Sequence, residues 1–170
     1  MSIILFGLKA VGKTTVGSLL ADALSRPFDD VDRLIEVAYA SKSSRCLTFS
    51  DIYQREGKEV YRALEREVIL AWQSADAVLS VGGSSLLDDD SYTYLKQQGQ
   101  LIYLQLSFDC WRERVLRLNP PAYFLRDKDQ ECALRDYYQR RDPVYSSRAD
   151  LVLLVDRLSP QQVCAQLQSA

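Results

Sequence analysis

Residues 2–15 read Ser2-Ile3-Ile4-Leu5-Phe6-Gly7-Leu8-Lys9-Ala10-Val11-Gly12-Lys13-Thr14-Thr15. An apolar run, Ile3 to Phe6, feeds a loop bracketed by Gly7 and Gly12 and closed by Lys13-Thr14. This is the G-x-x-x-x-G-K-[ST] phosphate loop in its required setting, a buried strand before it and an amphipathic helix after it. The spacing has a chemical reason. Glycines let the chain curl so that successive backbone N–H groups point at phosphate oxygens. Lys13 adds a mobile positive charge for the β- and γ-phosphates, and Thr14 offers a hydroxyl to Mg²⁺. The helix beginning near Lys13 aims its positive end at the same anion. At average glycine usage the pattern arises by chance in about one chain of this length in a few hundred.

Outward from this loop, short apolar runs alternate with helical periods, which argues for βαβ units and a five-stranded parallel sheet between helices, a three-layer α/β/α fold. The strands are expected at Ser2–Phe6, Pro27–Asp30, Ala77–Val81, Leu101–Leu106 and Leu151–Val155. Val16, Leu19, Leu20, Ala23 and Leu24 predict one face of the first helix, packed on the sheet. A second helical stripe, Val60, Leu64, Val68 and Trp72, runs within about 58–73. Further helices are expected near 91–98, 108–118, 130–140 and 160–168. Ser159 before Pro160 suits a helix start. Residues 40–47 and 119–129 read as irregular segments long enough to be binding loops or lids.

Composition narrows the chemistry. At 170 residues the chain is one domain, residues 1–170, large enough for a full core. With no histidine at all, histidine bases, triads and metal sites are excluded. The four cysteines, Cys46, Cys110, Cys132 and Cys164, are far apart, so neither a zinc site nor a disulfide framework is expected. A net charge of −2 points to no nucleic-acid or membrane-surface partner. The absence of a signal peptide or a spanning apolar run points to the cytoplasm.

A phosphate loop does not say what receives the phosphoryl group. Asp30 and Asp32 stand two apart at the end of the second strand. In extended chain both carboxylates would face one cleft beyond the strand ends; the alternative is a solvated acidic turn capping the next helix. Arg62 and Glu65 are helix neighbours, and an arginine held by a carboxylate is pre-oriented to grip an anion, or else is a plain surface ion pair. Gly82-Gly83 after the third strand suggest close backbone approach to a ligand. Arg141-Asp142-Pro143-Val144-Tyr145 ends a charged helix, and the proline alone would account for a stop there.

In this order the segments resemble shikimate kinase over nearly the whole chain. The family's phosphate loop matches Gly7–Thr14. Its F-x-D-x-D matches Phe28, Asp30 and Asp32, and its F-R-x-x-E matches Tyr61, Arg62 and Glu65, with tyrosine for phenylalanine. Its G-G-G matches Gly82, Gly83 and Ser84, and its R-x-P-x-Y matches Arg141, Pro143 and Tyr145. The resemblance implies a P-loop kinase fold with substrate-binding helices in 32–73 and a lid in 117–129. It implies transfer of a phosphoryl group from ATP to the shikimate 3-hydroxyl in a monomeric enzyme of aromatic amino acid biosynthesis. Residues Gly7, Leu8, Lys9, Ala10, Val11, Gly12, Lys13, Thr14 and Thr15 would hold the nucleotide, with Arg114 and Arg157 near the base. Thr14 and Asp30 would serve Mg²⁺, and Lys13 and Asp32 the chemistry. Asp32, Arg62, Gly82, Gly83 and Arg141 would hold shikimate.

The chain departs from the family pattern in the lid. Where R-P-L-L is usual it has Pro120-Pro121-Ala122-Tyr123, which leaves Arg117 or Arg126 to cover the phosphates. Three rival readings stay open at this point. One is a gluconate-type or other small-molecule kinase. Another is a degenerate binder of ATP and shikimate. The third is a nucleotide switch with Asp156, after the apolar run 151–155, as its metal aspartate.

Overall fold

A computed structural model describes residues 1–118 and 130–169. The expected lid at 117–129, apart from Arg117 and Leu118, therefore lies outside the described residues, and so does Arg126. Among the described residues five strands form a single parallel sheet: β1 (Ser2–Phe6), β2 (Phe28–Asp30), β3 (Val78–Ser80), β4 (Gly99–Gln105) and β5 (Leu151–Leu154), in the order β2-β3-β1-β4-β5. β1 is central, and Ile4 pairs with Leu79 on one side and Leu101 on the other. Its Ile4, Leu5 and Phe6 are fully buried, as expected of a strand covered on both faces. The connections leaving β1 and β4 diverge, toward β2 and β5. A crevice therefore opens at the carboxyl end of the central strands, where α/β sheets bind ligands.

Among the described residues the helices are α1 (Lys13–Leu24), α2 (Val31–Ser43), α3 (Phe49–Ala71), α4 (Asp89–Gln98), α5 (Phe108–Arg117), α6 (Gln130–Arg148) and α7 (Pro160–Gln168), with a 3-10 turn at Ser85–Leu87. Local chemistry sets their starts. Asp30, Thr48, Asp88 and Ser159 each accept a backbone N–H of the following first turn. Ser159 and Gln162 do so reciprocally. None of these helices is long and apolar enough to cross a membrane.

Four expectations need correction. On α1 the buried face is Val16, Gly17, Leu20 and Ala21, and Ala23 is exposed. Gly17 is there because Phe28 presses on it: a methyl group would stand 2.5 Å from that ring. The first half of the irregular stretch expected at 40–47 is helix, since α2 runs to Ser43. α3 begins at Phe49, nine residues before Lys58, and it kinks at Gly57, where φ is 84°. On its far side Tyr61, Leu64 and Ile69 are buried, whereas Val60 is half exposed. Finally, α6 does not stop at Arg140 but runs through Pro143 to Arg148. Asp142 accepts from Tyr103 Oη (2.9 Å) and Gln105 Nε2 (2.7 Å). Tyr145 is fully buried against Phe6 and Tyr103. These anchors on either side of the proline outweigh its local cost.

Candidate active site

The loop after β1 is shaped by close packing. Gly7 has φ 152°, and a methyl group on it would lie 2.6 Å from the Leu104 carbonyl oxygen. Gly12, at φ 98°, turns the chain into α1. Ala10 takes φ 71°, a conformation that costs an L-residue roughly 1 kcal/mol and is found where a site over-determines it. Leu8 and Val11 bury their side chains, and Lys9 points out. Val11 N–H closes a turn on the Leu8 carbonyl at 3.4 Å. Two side chains brace the loop from outside. Trp111 Nε1 donates to the Lys9 carbonyl at 3.1 Å, and Arg114 Nη1 donates to that of Val11 at 3.3 Å.

Lys13 folds back over this loop, donating to the carbonyls of Gly7 and Leu8, both at 3.1 Å. Burial holds its ammonium down to about pKa 8, partly offset by Asp32 and Asp30. Thr14 Oγ1 donates to Asp30 Oδ2 at 2.7 Å. A hydroxyl and a carboxylate oxygen meeting at a phosphate loop are hard donors, the set that suits Mg²⁺ shared with a nucleotide. Asp30 Oδ1 meanwhile accepts Asp32 N–H at 3.0 Å and caps α2. The strand ends at Asp30, so Asp32 sits in the first turn of a helix and not in extended chain. The two carboxylates nonetheless share one neighbourhood. Burial raises Asp32 to about pKa 6, Asp30 pushes the same way, and Lys13 pulls back.

The opposite wall comes from α3, the segment after β3, and α6. Arg62 Nη1 donates to Glu65 Oε2 at 2.5 Å and to the Ser84 hydroxyl. Glu65 is buried and takes Ser85 Oγ on its other oxygen at 2.7 Å. Arg62 is thus held by a desolvated carboxylate, which a plain surface pair would not be. The adjacent glycines are crowded by protein. A methyl group on Gly82 would come within 3.0 Å of Glu65 Oε1, and one on Gly83 within 2.8 Å of the Gly7 carbonyl oxygen. Tyr145 Oη donates to the Gly83 carbonyl. Arg141 lies over the Tyr137 ring, 3.6 Å from its centroid. Its Nε is buried and has no hydrogen-bond partner among the described residues, an orphan donor that an anion would satisfy. Tyr137 in turn stacks on Trp111 at 5.7 Å, so a layered stack joins the loop brace to Arg141.

A cavity of about 220 Å³ opens beside the loop, lined among others by Gly12, Thr15, Arg114, Leu158 and Pro160. Arg157 is exposed and is not among its lining residues. Arg117, on α5, is exposed and lies 3.7 Å from Glu113. Asp156 follows the edge strand β5 and accepts Ser107 N–H at 2.7 Å. With β4 between β5 and β1, it serves the start of α5, and the switch reading loses its aspartate. The sequence reading gave no role to Trp111, to Ser84, matched only to the motif's third glycine, or to the Tyr61 hydroxyl, which donates to Asp32 Oδ1 at 3.3 Å. The last of these had a signal, since tyrosine stands where the resembling motif has phenylalanine.

Known proteins resemble this chain over its length. The shikimate kinase family model matches residues 9–170. The curated shikimate kinases of Chromohalobacter salexigens and Symbiobacterium thermophilum are each 36% identical to it, over 98% of this chain and 89% and 94% of their own. A solved structure of shikimate kinase from Acinetobacter baumannii in complex with shikimate superposes with a TM-score of 0.82 at 30% identity, covering 99% of this chain and 90% of that one. Shikimate kinase from Aquifex aeolicus superposes at 0.78 with 26% identity, covering 99% and 94%.

Proposed function

The chain belongs to the shikimate kinase family, and from that membership we propose how its own residues carry the reaction. It is an enzyme, an ATP-using kinase that phosphorylates shikimate on the route to the aromatic amino acids. In our reading the ATP phosphates lie on residues 7–15, with Lys13 moving from the loop carbonyls onto the β- and γ-phosphates. The base enters the cavity beside Arg114, and Arg157 stands outside its lining. Thr14 and Asp30 serve Mg²⁺, which when bound neutralises charge on the phosphate oxygens.

Shikimate carries one carboxylate and three hydroxyls. Its carboxylate goes to Arg62, already aimed by Glu65, and to the unpartnered Nε of Arg141. The N–H groups of Gly82 and Gly83 close on the ring. The 3-hydroxyl meets Asp32. As its oxygen bonds to the γ-phosphorus and the bond to ADP breaks, the hydroxyl proton passes to the Asp32 carboxylate. A carboxylate lifted to about pKa 6 is a better base than an ordinary aspartate and is still ionised at neutral pH. Everything else in the step is placement and neutralised charge.

The observation that carries this reading is the position of Asp32. It interacts with Lys13 of the phosphate loop on one side, and it touches Tyr61, the neighbour of Arg62, on the other. We assign the enzyme to the cytoplasm as a monomer with no nucleic-acid or membrane partner, in keeping with its net charge of −2. The test is an ADP-coupled assay over a panel of acceptors, with the product identified. Shikimate 3-phosphate formed in preference to phosphorylated gluconate or nucleotides supports the reading; ATP hydrolysis indifferent to shikimate overturns it.

A further inference from the structure

The geometry points to Tyr61 as a positioning residue for phosphoryl transfer, its hydroxyl fixing one oxygen of Asp32 so that the other is presented to the acceptor. The inference rests on the reading above of Asp32 as the group that meets the acceptor hydroxyl.

Tyr61 stands in α3 just beyond the Gly57 kink and is 7% exposed. Its ring is held edge-on by Tyr53 at 5.5 Å, and the Arg62 guanidinium lies 5.9 Å from its centroid. From this fixed ring the hydroxyl donates to Asp32 Oδ1 at 3.3 Å. Burial, Asp32 and Glu65 all drive the phenol's pKa upward, so it stays a donor throughout the working range.

A carboxylate needs such a donor because its terminal torsion is soft and roughly two-fold. Asp30, next door, has both oxygens engaged, Oδ1 by Asp32 N–H and Oδ2 by Thr14. Asp32 receives only the Tyr61 bond among the described residues, and its Oδ2 is left free of any. The charged groups around it pull in different directions. Lys13 attracts it from the phosphate loop, while Asp30 from β2 and Glu65 from α3 repel it. Without a donor on one oxygen, attraction to Lys13 would turn the carboxylate toward the ammonium. The tyrosine hydroxyl is therefore an addition to the F-R-x-x-E pattern with a purpose: it selects one orientation of the base.

The test is Tyr61→Phe, alone and in an Asp32→Asn background, with kcat and KM measured for shikimate and ATP and the melting temperature recorded. Tyr61→Phe is expected to lower kcat about tenfold, the low end for one hydrogen bond to a charged group, in keeping with its 3.3 Å length. KM for shikimate should stay within about twofold and the melting temperature within about 2 °C. In the Asp32→Asn background the same change should cost nothing further. An unchanged kcat overturns the inference. So does a raised KM with kcat preserved, or an equal loss in both backgrounds, because the hydroxyl then acts elsewhere. Loss of folded protein along with turnover also overturns it, since the hydroxyl would then serve the fold. If the unmodified enzyme forms no shikimate 3-phosphate, the site reading itself fails and this inference falls with it.

Discussion

Gly83 and Gly7 meet back to back: a methyl group on Gly83 would stand 2.8 Å from the Gly7 carbonyl oxygen and 3.0 Å from Tyr145 Oη. The segment after β3, which we propose faces the acceptor, is in contact with the first residue of the phosphate loop. Neither side can give way without strain. Gly7 is itself wedged against Leu104, and Tyr145 is buried.

Gly83→Ala is therefore expected to displace the loop as well as the acceptor segment. Overpacking of this kind costs about 1–3 kcal/mol, a fall of roughly 2–12 °C in melting temperature. KM should rise for ATP as well as for shikimate, measured by initial rates with each substrate varied. A rise for shikimate alone would mean that the two segments move independently.

Arg62→Ala and Arg141→Ala should each raise KM for shikimate about 30- to 1,000-fold, as expected when half of a desolvated charge clamp is removed. KM for ATP should change less than about threefold. Arg62→Ala carries an extra penalty, because it strands the buried Glu65 carboxylate beside Ser85. Thermal melting should show that penalty for Arg62→Ala and not for Arg141→Ala.

The pH dependence of stability has a definite sign. The fold raises Asp32 from the ordinary carboxylate value of 3.8 to about 6. The native state then binds this proton more tightly than the unfolded chain. Asp32's contribution to stability is fully present below about pH 4 and is lost as pH rises through 6. In the protein without nucleotide or metal, Asp32→Asn should raise the melting temperature by about 3–6 °C at pH 7.5. The gain should shrink toward zero as pH falls to 4, while kcat collapses. A melting-temperature difference independent of pH would show that Asp32 is not desolvated.

Lys13→Met and Thr14→Val separate charge from metal. Lys13→Met should lower kcat about 100- to 1,000-fold, the scale of losing one charged stabiliser of the transferring group. Thr14→Val should raise the Mg²⁺ concentration needed for half-maximal rate at fixed ATP. Chelation of divalent ions should abolish turnover in the unmodified enzyme, with activity restored by added Mg²⁺.

Much of this was legible in the chain because short-range chemistry wrote it. A buried strand followed by glycines and Lys13-Thr14 admits few structures, and β1 and α7 fall where the pattern puts them. What escaped depends on contacts distant in sequence. Pro143 reads as a stop because the rule sees only the lost N–H. It cannot see Asp142 tied to Tyr103 and Gln105, or Tyr145 seated in the core. The start of α3, by contrast, was a local signal left unread, since Thr48 caps it and Ile52 beyond is fully buried. In the site, residue types were readable and their orientation was not. Asp30 and Asp32 do share one neighbourhood, but a helix cap brings them together and not an extended strand.

The Trp111 stack gives this enzyme an optical reporter of its own. The indole donates to the Lys9 carbonyl and lies flat against Tyr137, which carries Arg141. The chain has only one other tryptophan, Trp72, which is pinned to Asp29 at the far side of the sheet. With Trp72 replaced by phenylalanine, emission from a single fluorophore would register both the nucleotide filling the loop and the carboxylate drawing on the guanidinium. Occupancy of the two half-sites could then be followed in real time, with no dye attached and no coupling enzyme present.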